Sequence, residues 1–145
     1  MKVDAVLLDI DDTLLDTRAA FFAAIHAVAN TWLAHLEDER YDEVALRWIA
    51  DVGGHFRSYT RGEISIIEQR RRRAADLQQT FRGAELDDVA FAAWDATYSA
   101  AFRESWRLHD DVVPFLNAVD AAGLRSARSA TPPARCPSTS WPISG

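Results

Sequence analysis

Val6-Leu7-Leu8 empties straight into Asp9-Ile10-Asp11-Asp12-Thr13-Leu14, which sets three carboxylates and a hydroxyl at the end of an apolar run. A short stretch this rich in aliphatic residues reads as a strand over 3–10, covered on both faces as in a parallel sheet. Adjacent acids at the end of such a strand repel one another and lose hydration. Their compensation is a metal ion, a proton or an incoming phosphate.

The pattern after the acidic turn is helical. Asp16 and Thr17 are N-cap residue types, and Phe21, Phe22, Ile25, Val28, Trp32 and Leu36 recur at helical spacing, predicting a helix to Leu36. A polar break at 37–40 leads to a second helix that Gly53-Gly54 is expected to stop. Residues 55–63 read as a loop, 64–81 as a third helix and 89–106 as a fourth, whose first turn Asp87 and Asp88 load with negative charge where the helix dipole favours it. Asp110-Asp111 opens a fifth helix that tolerates Pro114 in its first turn and closes at Gly123. A further buried strand is due next. Instead Arg125-Ser126-Ala127-Arg128-Ser129-Ala130 offers almost no aliphatic side chain, and serines and prolines continue to the end.

With 145 residues, 48% apolar, the chain can bury one sizeable core or two small ones. Sixteen basic against twenty-two acidic residues, a net charge of −6, argue against a nucleic-acid groove as the working surface. Cys136 is the single cysteine, and no apolar stretch has the length of a secretion signal or membrane span, so the expected setting is cytoplasmic, with no membrane partner.

The segment Asp9-Ile10-Asp11-Asp12-Thr13 at a strand end resembles the first motif, Asp-x-Asp-x-Thr, of the haloacid dehalogenase (HAD) superfamily, mostly magnesium-dependent phosphatases. The resemblance extends over 3–124. It implies an α/β fold, mostly helical in this chain: a Rossmannoid core represented mainly by its first strand, at 1–16 and 108–125, with an inserted helical (C1-type) cap at 17–107. It also implies that Asp9 attacks phosphorus to give an aspartyl-phosphate, and that Asp11 protonates the leaving oxygen and then takes a proton from water. A magnesium ion (Mg2+) would be held by Asp9 and by Asp11. Thr13 would position the loop and the phosphate, with Asp12 serving turn geometry. Asp11 separates phosphoryl transfer from dehalogenation, because a halide leaving group needs no proton. The expected partner is a small phosphorylated metabolite.

Other readings of the same residues are weaker. A calcium loop counted from Asp9 needs glycine at its sixth position and glutamate at its twelfth, where Leu14 and Ala20 stand. Arg70-Arg71-Arg72-Arg73 sweeps a whole helix circumference and reads as a solvated face salted with Glu68 and Asp76. The four histidines lack metal-ligand spacing, and Trp32, Trp48, Trp94 and Trp106 read as core or interface anchors. In the cap, Arg57, Tyr59 and Arg61 are the candidates for substrate contact.

The family's later motifs find no place. Ser129 and Thr131 are the only candidates for the second, and neither the cationic residue nor the acidic pair comes after them. Residues 126–131 can be encoded as TCG-GCG-CGG-TCA-GCA-ACC, one codon choice among several, which read one base earlier after a G spells Val-Gly-Ala-Val-Ser-Asn, an apolar strand ending as the second motif requires. The expectation is an out-of-frame, disordered tail over 126–145, and little or no turnover, which gene sequencing and a phosphatase assay check. A non-catalytic helical fragment that binds a partner is the competing reading; a dehalogenase is a third.

Overall fold

The computed structural model describes residues 5–129. The expected strand positions Val3 and Asp4, the motif candidate Thr131, Cys136 and the tail over 130–145 lie outside them. The first strand, β1 (Ala5–Asp9), is joined in parallel by β2 (Arg125–Ser129), with Ala5 opposite Arg125 and Asp9 opposite Ser129. This corrects two expectations. The side chains of 125–129 predict no second strand, yet a strand needs only backbone N–H and C=O groups to pair, and β1 offers a full set. Nor is β1 covered on both faces: Val6 and Leu8 are half-buried while Leu7 is 73% exposed.

Six helices fill the connection between the two strands. Helix α1 (Thr17–Trp32) starts where the Asp16 carboxylate accepts the Ala19 N–H at 2.9 Å. It ends four residues before the expected Leu36, because Leu33 leaves helical geometry at φ −128° while its side chain stays fully buried. A 3-10 turn at Asp38–Arg40 precedes α2 (Tyr41–Ala50). It is Asp51, at φ 47°, rather than Gly53-Gly54 that stops α2.

The Asp51 carboxylate then accepts the Phe56 and Arg57 N–H groups at 2.9 and 3.1 Å and so organises α3 (His55–Thr60), in place of the expected loop. Six residues are too few to show an apolar period, so only this cap betrays the helix. Ser65 and Asp87 cap α4 (Ile66–Phe81) and α5 (Asp88–Glu104) through their side chains. After α6 (Val112–Ala121), Gly123 at φ 67° turns the chain into β2.

Helix α1 packs chiefly on α5 and α2. Ile25, Val28, Leu33, Val44, Leu77 and Trp94 are wholly or almost wholly buried there, and the Trp48 and Trp94 rings lie 5.6 Å apart. Trp32 packs against this core, whereas Trp106 is 44% exposed and anchors no core. The sheet end and the bundle are tied where the chain passes out and back: the Asp16 N–H donates to Arg107 O at 2.9 Å and the His109 N–H to Leu14 O at 3.1 Å. Among the described residues, no helix is long and apolar enough to cross a membrane.

Candidate active site

The acidic turn is built on one carbonyl. Ile10 O accepts N–H groups from Thr13, Leu14 and Leu15 at 3.4, 3.0 and 3.0 Å, reversing the chain directly after β1. Asp12 takes the left-handed conformation at φ 52°, which a short polar side chain tolerates. Its Oδ1 accepts the Arg18 N–H at 2.8 Å, so Asp12 supports the first turn of α1. Thr13 Oγ1 donates to Asp9 Oδ2 at 3.3 Å. Asp9, Asp11, Asp12 and Thr13 are all exposed.

Thr17 belongs to this constellation although its sequence position suggests only a cap. Its hydroxyl lies 3.3 Å from Asp11 Oδ1 and accepts the Asp12 N–H at 3.3 Å, and the residue is buried. One hydroxyl therefore tethers both carboxylate-bearing residues. No spacing rule flags it, because a threonine at the start of a helix is ordinary.

Asp11, Asp12 and Thr17 line a cleft of about 550 Å³. Phe56 and Tyr59 of α3, Arg70 and Arg73 of α4, and Tyr98 and Phe102 of α5 form much of the rest. The volume lies in the range of small-molecule sites. Asp9 stands at the strand end and is not part of this lining. Of the three cap candidates, the structure brings Tyr59 to the cleft. Arg57 is 70% exposed and lies 3.8 Å from Asp51, and Arg61 is held by Glu63 at 2.6 Å, so neither lines the cleft.

The arginine run is not a uniformly solvated face. Arg71 and Arg72 do point outward, pairing with Asp88 and Glu68, each at 2.7 Å. Arg70 and Arg73 turn inward with Ile66 and Gln69, the i, i+3, i+4, i+7 stripe of α4. Asp76 is engaged elsewhere, with His55 at 3.1 Å. Arg70 donates to Asp95 at 2.7 Å and Ser99 at 3.2 Å, and its guanidinium lies 5.0 Å from the Tyr98 ring centre. Arg73 lies 3.7 Å over the Trp48 ring and donates to Gln69 Oε1 and to Trp48 O. Burial drives the Arg73 guanidinium down to about 10 and pushes the Tyr98 phenol up to about 12.

A magnesium site does not fit the described residues as they stand. Among them no three His, Cys, Asp or Glu side chains converge on a point. The two expected ligands, Asp9 and Asp11, each have one oxygen near a threonine hydroxyl, and no third acid joins them.

A parallel strand pair whose first strand ends in an aspartate turn, with a helical bundle inserted in the connection, is the arrangement of a HAD-like α/β fold. Solved structures agree: the chain is similar to the HAD-hydrolase YfnB of Bacillus subtilis in a magnesium-bound crystal form, with a TM-score of 0.67 and 19% sequence identity over 91% of this chain. The match covers 55% of the YfnB chain, so this chain spans about half of that protein's length. No family model matches the chain, and no curated protein matches it in sequence.

Proposed function

We propose that the chain carries the nucleophile half of a hydrolase site for small phosphate esters, with 17–107 as its cap and 1–16 and 108–125 as part of its core. The observation that carries this reading is the pair of carboxylates two residues apart at the end of β1, the second of which opens on the cleft. An Asp9 oxygen attacks phosphorus and the ester oxygen leaves, taking a proton from Asp11. Water then attacks the aspartyl-phosphate, gives its proton to Asp11 and releases phosphate and the Asp9 carboxylate. The Thr13 hydroxyl, 3.3 Å from Asp9, orients the nucleophile.

Magnesium enters this reading as the ion a complete site holds; the described residues supply Asp9 and Asp11 toward it and no third ligand, and no step above depends on it. The substrate is a small phosphorylated metabolite and the setting cytoplasmic. Turnover is slow, because an incoming dianion meets Asp9, Asp11 and Asp12 together, and among the described residues none of the three has a basic ion-pair partner.

The test is phosphate release from p-nitrophenyl phosphate with magnesium present. We expect a trace rate, lowered at least about tenfold by Asp9→Asn. A rate indifferent to that change sinks the nucleophile assignment, and robust magnesium-dependent turnover sinks the claim of impairment. Halide release from 2-chloropropionate is the outcome that favours a dehalogenase. Cooperative thermal melting by circular dichroism, with no rate on either substrate, favours the non-catalytic helical fragment.

A further inference from the structure

The cleft beside Asp11 is lined largely by rings. Phe21 and Phe102 have centroids 5.0 Å apart, Phe102 and Tyr98 are near-parallel at 5.9 Å, and Phe56 and Tyr59 lie 5.9 Å apart. Phe56 is 43% exposed and Ile66 37%, so part of this apolar lining is turned to water. A second cavity, of about 150 Å³, shares Asp12, Phe21, Phe56 and Arg73 with the cleft and adds Trp48 and Ile49. Concave apolar surface with a few polar groups beside it is the usual make-up of a small-molecule site.

The charges of the lining cancel. Asp11 and Asp12 are matched in number by Arg70 and Arg73 in the cleft, and Asp12 and Asp51 by Arg18 and Arg73 in the second cavity. The two cleft arginines are engaged: Arg70 donates to Asp95 at 2.7 Å and to Ser99 at 3.2 Å, and Arg73 to Gln69 Oε1 and to Trp48 O. Of the acids, Asp12 accepts the Arg18 N–H at 2.8 Å, and Asp11 serves the leaving oxygen in the reaction above. A charged group entering here gives up hydration and meets no uncommitted counter-charge among the lining residues, whereas an uncharged apolar group gains by leaving water. A flat ring gains further against aromatic faces.

Asp11 is in the lining and Asp9 is not, so the group that takes the Asp11 proton is the one that extends into the cleft. We propose that this leaving group is an uncharged aromatic alcohol, which makes the substrate an aryl phosphate monoester with no second charged group. The proposal rests on the hydrolase reading for the direction in which the substrate lies, but the preference for an uncharged ring is tested without any turnover.

The probe is 4-ethylphenol, titrated against the whole chain at neutral pH by saturation-transfer NMR. Its controls are 4-hydroxyphenylacetate, which adds an anion, tyramine, which adds a cation, and 4-ethylcyclohexanol, which loses the flat ring. We expect 4-ethylphenol to bind at least about fivefold more tightly than any of the three. Phe56→Ser and Ile66→Ser, at the two exposed apolar positions of the lining, are each expected to weaken it at least about threefold, while Val89→Ser, an exposed apolar position outside the lining, leaves it unchanged. Circular dichroism establishes that each variant is folded; should Phe56→Ser unfold, Ile66→Ser carries the test. Equal binding of either charged analogue overturns the neutrality, equal binding of 4-ethylcyclohexanol overturns the ring, and a loss as large in Val89→Ser as in Ile66→Ser overturns the location. Selective binding without phosphatase activity leaves this site standing and removes the hydrolase reading. Phenyl phosphate and glycerol phosphate cleaved with equal kcat/KM, both lowered by Asp9→Asn, remove this proposal alone.

Discussion

Tyr98 shows how far a single side chain is governed by its surroundings. It stacks on Trp94 at 5.7 Å, lies under the Arg70 guanidinium, and is held protonated by burial until about pH 12. The unfolded chain releases that proton near pH 10, so the stabilising contribution is full below pH 10 and is lost as pH rises toward 12. Tyr98→Phe removes the group that titrates. By pH 12 the wild type is expected to lose about 2 kcal/mol relative to Tyr98→Phe, beyond any difference at pH 9, as read from urea midpoints at the two values. A difference independent of pH contradicts the burial of this phenol. Asp9, Asp11, Asp12 and Thr13 stand out in the sequence because their chemistry is crowded into adjacent positions. Tyr98, Arg70 and Arg73 do not. Tyr98 sits unremarked in an amphipathic helix, and four consecutive arginines carry no phase that tells which of them faces inward.

At the scale of elements, local signals are legible and short or backbone-driven ones are not. Asp16 reads as an N-cap residue and Asp87 as first-turn charge, and in the structure both carboxylates cap their helices by accepting an N–H three residues on. Helix α3 escapes a reading by periodicity because it is held by a carboxylate four residues before its first residue rather than by an apolar stripe. Strand β2 escapes because Arg-Ser-Ala-Arg-Ser has no strand-forming side chains and pairs through its backbone alone. Asp51 is the residue on which α3 depends, since it ends α2 in a left-handed conformation and accepts two N–H groups of the next helix. Asp51→Ala loses the cap and leaves a residue less suited to φ 47°, costing about 2 kcal/mol by denaturant unfolding. Asp51→Gly is expected to cost less, because it removes the cap without the backbone strain.

At the scale of the whole molecule the helical bundle is the well-buried part and β1 the barer one. Trp94, Ile25 and Leu77 sit among aromatic and aliphatic neighbours on several helices, whereas Leu7 turns most of its surface to water. The HAD-like arrangement is readable from the acidic turn and the long helical insertion together, since each restricts the other. The make-up of the cleft is not, because its walls come from α1, α3, α4 and α5, which no single stretch of sequence brings together.

The exposure of Leu7 carries a cost in handling as well as in stability. A strand that turns an aliphatic side chain to water offers neighbouring molecules a greasy surface to add to. Solubility is therefore expected to be limited by concentration before heat unfolds the bundle. Leu7→Lys should raise the concentration at which light scattering begins while moving the thermal midpoint by less than about 1 kcal/mol in stability terms. The residue that gives the first strand its apolar character is thus also the one that decides how much of the protein can be kept in a tube.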